Sequence, residues 1–195
     1  MKKILIANLL IFFISCSKDE KNLTQDTNYQ DISSKNGSSI SQDMDNYYID
    51  SSVILNNKNL PELITELESE ELITINDKNK IPKFILNFLK STVDEFSIAN
   101  PDEKWNARDI VIDKKIPRIK LIYFGEGKNM LLMTYNVGGI GKSTKILIFK
   151  FNKEKIEDFW SGTVLVDLKN KEEIIKYINQ NINKEFGLNF NILYY

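Results

Sequence analysis

Gly138-Gly139-Ile140-Gly141-Lys142-Ser143-Thr144 is the run in this chain whose residue types and spacing point most directly to chemistry. Closely spaced glycines let successive backbone N–H groups converge on an anion, a following lysine can reach its outer oxygens, and a neighbouring hydroxyl can hold magnesium. Val164-Leu165-Val166-Asp167 adds an apolar stretch ending in a carboxylate, the other half of such a site. A second set is Glu126, Asp109, Asp113, Glu157 and Asp158, which could act as general acid and base if two of them stood about 5–10 Å apart. No spacing among the five selects a pair. A third set is Trp105, Tyr135 and Trp160 with Lys142 and Asp158, aromatics beside charges of the kind that line a protein-binding patch. The same three aromatics equally suit a core or its rim.

Two absences bound the chemistry. The chain has 0 histidines, which removes Ser-His-Asp and Cys-His catalysis and every imidazole metal site. Its 1 cysteine, Cys16, allows no internal disulfide, thiolate zinc site or iron–sulfur cluster. Catalysis would fall to carboxylates, lysine, tyrosine or an unaided hydroxyl, and no metal or cofactor is expected. Lys+Arg is 26 and Asp+Glu is 27, and only Lys2 and Lys3 precede Cys16, so a chain cut there carries 24 − 27 = −3. That weakly acidic balance gives no electrostatic reason to expect nucleic acid.

The glycine run resembles the phosphate loop of P-loop ATPases, above all the variant that opens Lys-Gly-Gly. The resemblance implies nucleotide binding, with Lys142 on the terminal phosphates and Ser143 or Thr144 on magnesium. Two positions depart from it: Asn136 stands where the ordinary motif has glycine, and Val137 where the variant has lysine. A phosphate loop must also run into a helix whose N-terminus faces the anion. Lys145-Ile146-Leu147-Ile148-Phe149 is a strand pattern instead. The run is therefore expected to be a hairpin connection whose glycines supply positive φ angles.

The elements that would position these residues centre on Arg118 to Val166. Four segments rich in β-branched and aromatic residues follow one another there: Arg118–Phe124, Met130–Asn136, Thr144–Phe151 and Ile156–Val166. Gly125-Glu126-Gly127 and Asn152-Lys153-Glu154 are the turns of the outer hairpins. Asp109–Asp113 is a candidate strand before them, Leu72–Ile75 another, and Asn189–Tyr195 a last one. Pro61 starts a helix with Leu63, Ile64 and Leu67 inward. Pro82 opens a second, with Ile85, Phe88, Leu89, Thr92 and Phe96 on one face at helical spacing. A third follows Asn170, with Glu173 three residues on as in a capping box and Gly187 as its C-terminal cap. The expected fold is α+β: an antiparallel β-meander of about four to six strands with helices packed mainly on one face. Helix followed by meander is similar to cystatin-like and related inhibitor folds.

The N-terminus suggests delivery. Met1-Lys2-Lys3 is a basic n-region and Ile4–Ile14 an apolar h-region, ~16 Å long as a helix and short of a bilayer core of ~30 Å. Phe13-Ile14-Ser15-Cys16 resembles the lipobox of bacterial lipoproteins, in the looser form found among the Bacteroidota, where Ser17-Lys18-Asp19-Glu20 is similar to a surface-export run. The resemblance implies diacylation of Cys16 and a place in the cell envelope, at the outer membrane on its periplasmic or surface side. Ser17 to about Asp45 is too polar to offset the entropy of ordering. The expected organisation is a signal peptide over 1–15, a lipidated Cys16 with a polar disordered tether over 16–46, and one domain over 47–195. The expected function is a membrane-anchored, non-enzymatic module binding a protein or other macromolecule, an immunity or inhibitor protein being one specific form. The competing expectation is a small carboxylate-dependent hydrolase or glycan-processing enzyme.

Overall fold

A computed structural model describes residues 50–93, 96–110, 113–184 and 188. The leader, Cys16, the tether, Gly187 and Asn189–Tyr195 lie outside the described residues. Within them the chain runs α1 (Ser51–Leu55), α2 (Leu60–Ser69), β1 (Ile73–Thr74), α3 (Lys83–Thr92), β2 (Ile98–Ala99), β3 (Ile119–Glu126), β4 (Met130–Val137), β5 (Ser143–Asn152), β6 (Lys155–Val164) and α4 (Lys171–Asn181). The strands form one sheet in the order β1-β3-β4-β5-β6, with β2 also on β3. The α+β meander holds, because β3 through β6 pair antiparallel in sequence order.

Two of the hairpins follow from their turns. Lys153 takes a positive φ of 55° between β5 and β6, the left-handed conformation a two-residue turn demands. Between β4 and β5, Gly141 has φ 85°. A Cβ on Gly138 would meet the backbone carbonyl oxygen of Asn106, so only glycine lets the chain at 106–107 lie against this hairpin.

The helices lie on both faces, three against one. Glu66 of α2 pairs with Lys150 on β5, and the Trp160 indole N–H donates to Asn57 Oδ1 just after α1, at 3.0 Å. Lys171 at the start of α4 donates to the carbonyls of Glu68 and Glu70 at the end of α2, and Thr134 Oγ1 donates to Leu168 O at 2.8 Å. These contacts place α1, α2 and α4 over the face bearing Trp160, Thr134 and Lys150. The opposite face carries Phe149 and Phe159, whose rings lie 4.7 Å apart, and Phe88 of α3 packs edge-on against both. Strands β4 and β5 are therefore sandwiched, and their side chains are buried on both sides.

Asn170 caps α4 as expected, its Oδ1 accepting from Glu173 N at 2.8 Å, but the return bond of the capping box is shifted: Glu173 Oε2 accepts from Lys169 N, one residue before the N-cap, at 2.8 Å. One expected strand is corrected. Asp109, Ile110 and Asp113 are in no strand, because Asn106 turns its amide onto Ile110 O at 3.2 Å and holds the segment as a loop. The added strand is β2, which pairs in parallel with the start of β3, Ile98 opposite Ile119.

Candidate functional site

The glycine run is the β4–β5 hairpin connection: β4 ends at Val137 and β5 begins at Ser143. A strand therefore stands where a phosphate loop needs a helix N-terminus, and the architecture of that loop is absent here. Lys142, Thr144 and Asp167 nevertheless do meet. Lys142 Nζ lies 2.9 Å from both Asp167 carboxylate oxygens. Thr144 Oγ1 donates to Asn136 Oδ1 at 2.8 Å across the β4–β5 pair and sits 3.4 Å from Asp167 Oδ1. Burial tends to raise the Asp167 pKa, but the hydrogen bonds from Lys142 and Asn136, the Lys142 charge and the Thr144 hydroxyl outweigh it and hold the carboxyl below its ordinary value. The group is an ion pair with its lone pairs engaged, closing the hairpin onto the segment between β6 and α4.

The five aromatic and charged candidates separate. Tyr135 and Trp160 are fully buried, and their rings belong to the core on opposite faces of the sheet. Trp105 is half-buried in the loop before β3. Lys142 lies at the hairpin end of the sheet, whereas Asp158 lies near the other end, paired in register with Lys150 and accepting from Asn59 Nδ2 at 2.7 Å. Strand pairing brings Trp160 into the row of Ile148 and Leu132, far inside any surface.

Glu126 and Asp158 separate as well. Glu126 and Asp158 lie on β3 and β6, three strand spacings of about 4.8 Å and so about 14 Å apart. That exceeds the separation for a two-carboxylate glycosidase site. Burial raises the Glu126 pKa without bringing it a partner acid from this set. Asp109 and Asp113 lie in the loop before β3, and Glu157 sits at the β6 irregularity, exposed.

What the hairpin end does present is apolar. Ile140 at the hairpin tip is 93% exposed, Ile110 75% and Leu165 68%. Contacts hold their three connections at this end of the sheet: Gly139 N donates to Ala107 O at 3.3 Å, Gly138 N to Arg118 O at 2.8 Å, and the Lys142 side chain ties the hairpin to Asp167, two residues from Leu165. Beyond Val166 (44% exposed) a shallow groove of about 390 Å³ runs beside α4, lined by Lys169, Glu173, Lys176 and Tyr177. In the sequence Ile140, Leu165 and Val166 stood only within the nucleotide-like runs, and none was singled out for a binding surface. An isoleucine fenced by glycines in a turn cannot reach a core, and Leu165-Val166 prolong β6 past its partner Thr144; both were available signals.

Comparison with protein-family models, curated proteins and solved structures found no match to this chain.

Proposed function

We propose that this chain is a lipid-anchored protein of the cell envelope whose α+β domain is a non-enzymatic binding module for a protein partner, in its most specific form an immunity or inhibitor protein. The observation that carries the binding role is the groove beside α4. There an exposed valine and a half-buried tyrosine stand among Lys169, Glu173 and Lys176, an apolar centre with a mixed-charge rim such as protein interfaces use. Rigid elements hold both sides, the end of β6 and the capped α4, so little ordering entropy opposes docking. The anchor is supported by the sequence alone, through Cys16 at the end of the apolar leader.

Two measurements test the two halves. Cys16→Ala should abolish acyl labelling and release the chain from the membrane fraction. For binding, the domain as bait should capture a partner from its native cells, and Val166→Asp with Lys176→Glu should abolish capture while leaving the melting temperature unchanged. Capture that survives both substitutions would remove the groove from consideration.

A further inference from the structure

We infer that the hairpin end of the sheet is a membrane-docking tip: Ile110, Ile140 and Leu165 enter the interface of an anionic bilayer while the basic residues around them meet its headgroups. This rests on the preceding reading only for the lipid anchor that keeps a membrane near.

Three observations carry it. First, three exposed aliphatics stand at one end of the sheet. Ile110, Ile140 and Leu165 come from three separate connections, and the hydrogen bond from Gly139 N to Ala107 O and the contact of Lys142 with Asp167 tie the loop before β3 and the segment after β6 to the β4–β5 hairpin. Exposed isoleucine and leucine side chains presented at one end of a fold mark an interaction surface. Second, the local charge reverses that of the chain. The segment 108–118 supplies Arg108, Lys114, Lys115 and Arg118 against Asp109 and Asp113, or 4 − 2 = +2, while the chain from Cys16 onward carries 24 − 27 = −3. Both of the chain's arginines are here. All four cationic residues are exposed, and Asp167 on the β6 side is paired with Lys142. Third, aliphatic tips ringed by Lys and Arg bind anionic lipid by apolar burial and charge together.

Docked this way, the domain stands on the hairpin end, and the groove beside α4 lies at the flank of the contact. A lipid anchor alone would leave its orientation free.

The test uses the chain from residue 16 onward carrying Cys16→Ser, so that neither leader nor acyl chain contributes. It is sedimented with vesicles of phosphatidylcholine alone and with vesicles rich in phosphatidylglycerol. Association with the anionic vesicles is expected, falling with salt. Ile140→Asp with Leu165→Asp, and separately Lys114→Glu with Lys115→Glu, should each weaken it at least about tenfold. Unchanged melting temperatures in both variants confirm that the fold is intact. No association with anionic vesicles, or association that either variant leaves unchanged, overturns the inference. If partner capture rather than vesicle binding disappears in Ile140→Asp with Leu165→Asp, the tip belongs to a protein partner. Failure of the anchor shows instead as absent acyl labelling, and failure of the groove as capture that ignores Val166 and Lys176; neither moves vesicle binding of this unacylated chain.

Discussion

Lys142 Nζ lies 2.9 Å from each oxygen of the Asp167 carboxylate, and this contact pins the glycine hairpin to the segment leaving β6. The pairing explains why residues so suggestive of phosphate chemistry stand together without the loop that such chemistry needs. Asp167 returns over the sheet face on its way to α4, and the hydroxyl of Thr144 and the amide of Asn136 are the polar groups it meets there.

Both side chains remain partly in water, 42% exposed for Lys142 and 34% for Asp167, so Lys142→Ala should cost no more than about 1 kcal/mol in urea denaturation at pH 7. The acid dependence has a definite sign. The folded pKa of Asp167 lies below its unfolded value, so this contribution is complete above the unfolded pKa and is lost as pH falls through the folded one. In Lys142→Ala that acid loss should shrink but persist, because Asn136 and Thr144 stay. ATP with magnesium should leave the melting temperature unchanged in both proteins. A nucleotide-dependent rise abolished by Lys142→Ala would contradict the hairpin assignment.

The glycines of the hairpin should differ in kind. Gly141 holds φ 85° with open space where a Cβ would go, so Gly141→Ala should cost about 1–2 kcal/mol of backbone strain and nothing more. At Gly138 the obstacle is the Asn106 carbonyl and the Ala107 backbone, neither of which can swing aside. Gly138→Ala should cost upwards of about 2 kcal/mol and push the 106–107 segment off the hairpin, read as faster proteolysis there. Equal costs at the two positions would mean that the close approach is not tight.

Much of this fold was legible because its signals are local. The four meander strands, Pro61 and Pro82 at their helix starts, and the Asn170–Glu173 cap depend on residues within a few positions of one another. The two-residue β2 was not legible, since it exists only by pairing with Ile119 and Lys120 and is followed at once by Asn100-Pro101. The second covered face was readable in principle. Met130-Leu131-Leu132-Met133 and Ile146-Leu147-Ile148-Phe149 do not alternate, and an unbroken apolar run is what burial on both faces requires. The candidate patch failed to assemble for a related reason. Tyr135 and Trp160 sit mid-strand near polar neighbours, and only strand register shows that they point into two different layers of core.

Lys145 gives the protein an alkaline signature. It is 5% exposed in mid-sheet, donates to Thr163 Oγ1 at 2.7 Å, and burial pushes its pKa down to about 8. An unfolded lysine titrates near ~10.4, so between those values the unfolded chain binds more protons and stability rises with pH. The rise is at most on the order of 3 kcal/mol. Denaturation curves collected from neutral pH to about 10 should show it in the native chain and lose it in Lys145→Met. A native profile that is flat or falling through this window would mean that Lys145 is better solvated than its burial indicates.

Trp160 separates a core role from a recognition role most cleanly. Its indole is fully buried, its N–H donates to Asn57 Oδ1 at 3.0 Å, and its ring lies over Gly162, where a Cβ would collide with it. Tyr123 covers Gly125 in the same way on β3, and register places Gly125 in the row of Trp160 and Tyr123 in the row of Gly162. Each aromatic thus fills the space its glycine leaves on one face of the sheet. Trp160→Ala should therefore cost about 3–5 kcal/mol in chemical denaturation, whatever partner is present. Trp160→Phe should cost less, keeping most of the apolar volume and losing the bond to Asn57. Gly162→Ala should destabilise as well, because the added methyl evicts the ring rather than filling a gap. A Trp160→Ala protein of native stability that has lost partner capture would reverse the assignment, making this side chain a recognition anchor that the core does not need.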